Sequence, residues 1–127
     1  MNAEWDAAVG QTEYPWGDYF PPRSDDGNYA FFEDGKEDPQ KVGVDGIQGT
    51  APVGSFKPNA LGFYDLGGNV AEWMWDEWDK KRQTGVYRGG SWRSSDKGWC
   101  RAAPRYSPDA GTSGAVMGLR LALAPSK

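Results

Sequence analysis

The stretch Asp65-Leu66-Gly67-Gly68-Asn69-Val70-Ala71-Glu72-Trp73-Met74-Trp75 sets the reading of the chain. Two carboxylates, Asp65 and Glu72, flank a glycine turn, where backbone free of Cβ atoms can fold its carbonyls inward. The residues that follow alternate, which puts Trp73 and Trp75 on one face of a strand over 70–75. Working outward, 86–88 reads as a second short strand ending in Gly89-Gly90. A third is expected over 118–124, with Leu119, Leu121 and Leu123 on one face. Towards the N-terminus, 2–9 reads as a short helix with Asn2 as its cap. Between them, 10–58 is punctuated by Gly, Pro, Asp and Asn with no sustained period. It carries Tyr14, Trp16, Tyr19, Phe20, Tyr29, Phe31 and Phe32, aromatics that need somewhere to pack, so it reads as a long ordered loop with a mobile tip over 33–41. With no internal repeat and no domain boundary, the expectation is one α+β domain over 1–127, loop-rich with short antiparallel strands.

Composition agrees. Seven Trp, six Tyr and five Phe supply buried area, while eighteen Gly and nine Pro favour loops over regular elements. No stretch is apolar enough for membrane insertion, and Met1 leads into Asn-Ala-Glu-Trp without a secretory signal. The chain has no His, which removes His-containing zinc sites and the Ser-His-Asp triad. Cys100 is the only cysteine, so no intrachain disulfide forms and the core, or a metal with oxygen ligands, must hold the fold. The net charge of -4 conceals an asymmetry: 1–79 carries 16 acids and 4 bases, 80–127 carries 10 bases and 2 acids. These halves read either as solvated surfaces that attract each other or as a cation-holding part beside a ligand-binding part. The basic residues are scattered among Gly and aromatics rather than gathered in a stripe, so no nucleic acid is expected as partner.

Several strings, in this order, carry a family resemblance. They are Ala3-Glu4-Trp5-Asp6, Tyr14-Pro15-Trp16-Gly17-Asp18, Gly27-Asn28-Tyr29-Ala30, the run from Asp45 to Phe56, Pro58 to Leu66, Gly67 to Trp73, Arg88-Gly89-Gly90-Ser91-Trp92, Cys100-Arg101-Ala102-Ala103 and Gly118-Leu119-Arg120. Together they resemble the formylglycine-generating enzyme, or sulfatase-modifying-factor, family. The resemblance implies a C-type-lectin-like fold. It matches only the C-terminal portion of that family's domain, which reads as a trimmed or streamlined N-terminus.

The resemblance also implies structural Ca2+. One site would use the side chains of Asp65 and Glu72 with the carbonyls of Gly68 and Val70. A second would use the side chains of Asn28 and Asp45 with the carbonyls of Tyr29 and Ile47, although these residues lie further apart in sequence than the enzyme's pattern suggests. Oxygen donors of this kind suit calcium's six to eight ligands. Without a metal, Asp65 and Asn28 cap turns and Glu72 pairs with an arginine such as Arg88.

The family's enzymes oxidise a substrate cysteine with two cysteines of their own, which bind copper. The corresponding stretch here is Arg93-Ser94-Ser95-Asp96-Lys97-Gly98-Trp99, without either cysteine, so no copper is expected and Cys100 reads as a small core residue. Catalysis is then not expected, and the surface over 93–116 reads as a ligand-binding face: Arg93, Ser94, Ser95, Asp96, Gly98, Trp99, Arg105, Tyr106, Ser107, Asp109, Thr112 and Ser113. Trp92 reads as core. The chain is also similar to variable proteins of diversity-generating retroelements, whose substitutions arise at adenines and cannot reach Lys, Glu, Gln, Met or Trp. The run from Asp109 to Val116 contains none of these five, and Lys97 and Trp99 would be fixed positions. This implies a protein ligand or receptor as partner and display on a virion or cell surface. The alternatives are an oxidoreductase acting on cysteine and a structural assembly domain.

Overall fold

A computed structural model describes residues 2–30, 32–33, 36–37, 43, 45–79, 84–107 and 114–123. The helix α1 spans Asn2–Val9, as the sequence suggests. It buries Trp5, Ala8 and Val9, which share a face at i, i+3 and i+4. That face packs on Leu66, Met74 and Ala102, with Val86 alongside. Trp5 Nε1 donates to the Ala102 carbonyl at 3.1 Å, which satisfies the one polar atom of a buried indole. Asn2 does more than start the helix: its Oδ1 accepts a bond from Arg88 Nη1 at 3.1 Å.

A three-stranded sheet lies against α1, in the order β4-β3-β5: β3 is Ala71–Asp79, β4 is Thr84–Arg88 and β5 is Met117–Gly118. β3 and β4 run antiparallel, with Glu72 opposite Arg88, Trp73 opposite Tyr87 and Met74 opposite Val86; the register shifts between Met74 and Asp79. The face that enters the core is that of Met74, whereas Trp73 is half-buried and Trp75 is 84% exposed. β5 departs from the expected antiparallel pattern. It pairs parallel to β3, Ala71 with Met117 and Glu72 with Gly118, and ends at Gly118. The leucines expected to share one face of a strand over 118–124 lie beyond β5 and are 71%, 88% and 101% exposed at Leu119, Leu121 and Leu123. Alternation alone does not say which face of an extended segment meets the core. Gly118 fits because a Cβ there would come within 2.6 Å of Val70 Cγ2.

Two further strands, β1 (Phe32–Glu33) and β2 (Lys36–Glu37), pair antiparallel where the expected tip over 33–41 begins, most of which lies outside the described residues. The long loop before it packs as its aromatics require. Tyr14, Tyr29 and Cys100 are fully buried, with Trp16 and Phe20 against them. Tyr14 stacks on Trp16 at 4.8 Å between centroids, and Trp16 meets Tyr29 edge-on at 4.9 Å. Among the described residues no helix is long and apolar enough to cross a membrane.

Candidate functional site

The Gly67-Gly68-Asn69 turn holds the loops together through Asn69, a residue the sequence did not single out. It sits at φ 58°, in the left-handed region that Asn tolerates better than most residues. From there its Nδ2 donates to the Ala51 carbonyl (3.1 Å), and its Oδ1 accepts from Ala51 N (2.9 Å) and from Asn28 Nδ2 (3.3 Å). Its own backbone N–H donates to the Asn28 carbonyl at 2.8 Å, and its carbonyl accepts from Trp92 N at 3.0 Å. One side chain and its backbone thus join the loops at 28, 51 and 92. Gly68 must be glycine here, since at φ 73° a Cβ would lie 2.4 Å from the Asn28 carbonyl oxygen.

In the Asn28–Asp45 group, Asp45 converges with the carbonyls of Tyr29 and Ile47 at Gly43. A side-chain carbon on Gly43 would lie 2.5 Å from the Tyr29 carbonyl oxygen, 3.0 Å from Asp45 Oδ1 and 3.3 Å from the Ile47 carbonyl oxygen, so three oxygens border one small space. Asn28 Oδ1 and Asp45 Oδ2 are buried without a hydrogen-bond partner among the described residues. Asn28 is oriented by Nδ2, which donates to the Gly49 carbonyl at 2.8 Å. Burial pushes the Asp45 carboxyl above its ordinary range, partly offset by the bond its Oδ1 accepts from Ile47 N at 2.9 Å. Partnerless buried acceptors beside converging carbonyls fit a hard cation, which takes carbonyl oxygens as readily as carboxylates. Among the described residues no cluster of three or more His, Cys, Asp or Glu is gathered for a metal, so backbone oxygens would have to complete the shell.

The Asp65–Glu72 group is arranged differently. The Glu72 carboxylate is taken by Arg120, whose Nε donates to Oε1 at 2.9 Å and Oε2 at 3.0 Å. Arg120 Nη2 also reaches the Tyr64 carbonyl at 2.8 Å and the Asp65 carbonyl at 3.1 Å. A guanidinium therefore already neutralises Glu72. Asp65, at φ 54°, accepts from Gly54 N through Oδ2, and its Oδ1 is buried without a hydrogen-bond partner among the described residues. Burial raises the Glu72 carboxyl above its ordinary range, and the bonds from Arg120 oppose that rise. Arg88, the partner suggested by sequence, is directed elsewhere. Only 2% of it is exposed, and Nη1 pairs with Asp6 Oδ1 at 2.7 Å while Nη2 bonds the Ala102 carbonyl at 3.0 Å.

The third group is a face. Arg93, Ser94, Ser95, Asp96 and Trp99 line a cavity of about 290 Å³ together with Ala71, Tyr87, Gly90, Ser91, Val116 and Met117. Asp96 shapes its rim: Oδ1 accepts from Gly98 N (2.6 Å) and Trp99 N (3.0 Å), folding 96–99 into a tight turn. Trp99, 42% exposed, stacks on Tyr106 at 4.0 Å and 21°. Tyr106 is fixed in turn by its hydroxyl, which donates to the Gly98 carbonyl at 2.8 Å, and by a two-bond bridge to Tyr87. Tyr87 and Trp73 extend the row of rings at 5.6 and 6.2 Å. Arg93 lies over Trp92 at 4.8 Å, and Trp92, half-buried rather than core, donates to the Ala115 carbonyl at 3.0 Å. Ser94 faces the cavity, but its hydroxyl oxygen accepts from Ser91 N at 2.9 Å and is occupied with the turn. Gly98, Arg105 and Ser107 are exposed and do not line the cavity; Asp109, Thr112 and Ser113 lie outside the described residues. Cys100 is fully buried, its Sγ 3.9 Å from the Ser94 carbonyl. Burial pushes its thiol up to about 12.

Residues 1–125 match the model of the sulfatase-modifying factor enzyme 1-like domain. The chain belongs to that family. Among its relatives, it is 33% identical over 121 residues to the formylglycine-generating enzyme of Thermomonospora curvata, an alignment covering 92% of this chain and 36% of the relative. It is 38% identical over 96 residues to the inactive C-alpha-formylglycine-generating enzyme 2 of Bos taurus, covering 70% of this chain and 30% of the relative. Among solved structures it resembles Treponema denticola variable protein 1, with a TM-score of 0.65 and 26% identity over 94% of this chain and 44% of that one. The family therefore includes both enzymes and a protein named as inactive, and the chain spans about a third of the length of these curated relatives. The α+β, loop-rich fold expected from the sequence is that of this family's structures.

Proposed function

We propose that this domain is a non-catalytic binding module of the variable-protein type, presenting the face around Arg93–Trp99 to a protein partner. The observation that carries the reading is the position of the cysteine. The resemblance places the family's chemistry in a reactive cysteine pair. This chain has one cysteine, fully buried, with a thiol held protonated far above neutral pH. What reaches the surface instead is a mix of Arg, Ser, Asp and aromatic rings, the composition adaptable binding surfaces use. The likeness to Treponema denticola variable protein 1 supports the more specific form, in which substitutions at Arg93, Ser94, Ser95, Asp96, Gly98, Arg105, Ser107, Asp109, Thr112 and Ser113 vary among copies and the module is displayed on a virion or cell surface.

In the same reading Ca2+ braces the scaffold through Asn28 and Asp45 with the carbonyls of Tyr29 and Ile47, clipping a long loop. At Asp65 and Glu72, with the carbonyls of Gly68 and Val70, Arg120 already supplies a cation to the Glu72 carboxylate and bonds the Asp65 carbonyl, so Ca2+ there would have to displace it. Sequencing sibling copies tests the variable form: differences concentrated over 93–116 support it, and copies varying evenly along the chain refute it. The identity to the Thermomonospora curvata enzyme favours a second reading, an oxidoreductase acting on cysteine. Incubation with a cysteine-containing peptide, copper and oxygen separates the two. An unchanged peptide mass is expected, and the mass loss of aldehyde formation overturns the binding-module reading.

A further inference from the structure

The cavity beneath the proposed binding face has a shape and a wall chemistry that select among partner side chains. This inference rests on the binding-module reading and deepens it. We infer that, with Arg93 and Asp96 as this copy carries them, the cavity takes a tyrosine side chain of the protein partner as its anchor.

Size comes first. About 290 Å³ lies at the lower bound of small-molecule sites, which run from about 300 to 1,000 Å³, so one inserted side chain suits it better than a larger ligand. The wall is mostly apolar and includes Ala71, Val116, Met117 and the rings of Tyr87 and Trp99. Trp99 and Tyr87 are joined through Tyr106 in a pinned aromatic row, so an entering ring meets edges and faces already held in place. Such preorganisation lowers the ordering cost of docking.

Two charges of opposite sign line the same cavity. Asp96 commits Oδ1 to two backbone N–H groups, and its Oδ2 has no partner among the described residues. The Arg93 guanidinium rests on Trp92 and makes no ion pair among the described residues. The cavity lining thus combines one strong acceptor and one strong donor with apolar wall. A phenol hydroxyl answers both, donating to the carboxylate and accepting from the guanidinium. A phenylalanine leaves both unanswered, an indole only donates, and an arginine or lysine would face Arg93. Tyrosine is also among the residues that most often anchor protein interfaces.

The test uses the whole chain, labelled with 15N and titrated with p-cresol, toluene and n-butylguanidinium. The expected result is that p-cresol shifts the amides of 94–99 and the Trp99 indole, with affinity about tenfold above toluene, as a charge-assisted bond provides. Asp96→Asn keeps the oxygen that caps Gly98 and Trp99 but removes the charge, and should bring p-cresol close to toluene. Val116→Phe should fill the cavity and abolish the shifts. Should that variant not fold, Trp99→Ala, which removes the wall without touching the strands, should weaken p-cresol about as strongly. Toluene or the guanidinium binding as well as p-cresol, shifts lying elsewhere, no shifts at all, or Asp96→Asn leaving p-cresol affinity intact would each overturn the inference. None of these outcomes bears on whether the outer face binds a partner, which sibling sequences and randomised copies of the face test separately.

Discussion

Replacing Asn69 by alanine should destabilise the domain far more than its single side chain suggests. The substitution leaves the N–H and C=O of Ala51 without partners, both in a buried residue, and removes an acceptor from Asn28 Nδ2. A buried backbone group left unsatisfied costs about 1–3 kcal/mol. Two such groups give roughly 2–5 kcal/mol after partial relaxation. Alanine at φ 58° adds about 1 kcal/mol, because its Cβ crowds the following carbonyl in the left-handed region. Against a total stability of about 5–15 kcal/mol this is a large share. With roughly 3–5 °C lost per kcal/mol in a domain of this size, the melting temperature should fall by 10 °C or more. Asn69→Gly should recover the backbone part alone, and Asn69→Asp, which keeps acceptors but loses the donor to Ala51, should fall between. Differential scanning calorimetry on the four proteins measures this directly. An Asn69→Ala variant melting within about 2 °C of the parent would refute the view that this side chain ties the loops.

Three other outcomes follow from the same geometry. Arg120→Ala should cost about 2–4 kcal/mol, discounted because Arg120 is itself over a third exposed, since it strands a buried carboxylate; the double variant with Glu72→Gln should recover much of the loss in urea denaturation. Adding Ca2+ to 100 times its Kd should stabilise the protein by about 2.7 kcal/mol, and Asp45→Asn should abolish the shift seen by calorimetry. Cys100, with its thiol near 12, should resist iodoacetamide at pH 8 in the folded protein and react readily in denaturant, because burial disfavours the thiolate and unfolding removes that penalty; mass spectrometry at timed intervals reads the difference.

Much of this was legible in the chain itself, and the failures share a cause. The helix over 2–9, the start of β3 and the end of β4 each carry a local signal, and the aromatics of the long loop pack as their number demands. What sequence could not show was direction. Leu119, Leu121 and Leu123 alternate as a buried strand would, yet face outward beyond a two-residue strand. Glu72 finds Arg120, 48 positions away, rather than Arg88, which stands opposite it in the ladder but turns to Asp6 and Asn2. The spacing of Asn28 and Asp45 in sequence argues against a shared site, yet the loop brings Asp45 Oδ1 together with the carbonyls of Tyr29 and Ile47 beside Gly43. Spacing along a chain does not report the path of a loop. The binding face was read from composition and motif position, and five of its residues do line one cavity. Asn69 stood inside the decisive motif unremarked, because a hub is recognised only once its partners are placed.

On the binding-module reading, exposed residues around the cavity can change while the scaffold beneath them cannot. A library randomised at the exposed Arg93 and Ser107, with individual members scored by thermal melting, is the sharpest check. Most members should melt cooperatively within a few degrees of the parent. A library in which most members lose their melting transition would mean that these side chains build the fold, and the domain would then not be a platform for variable recognition.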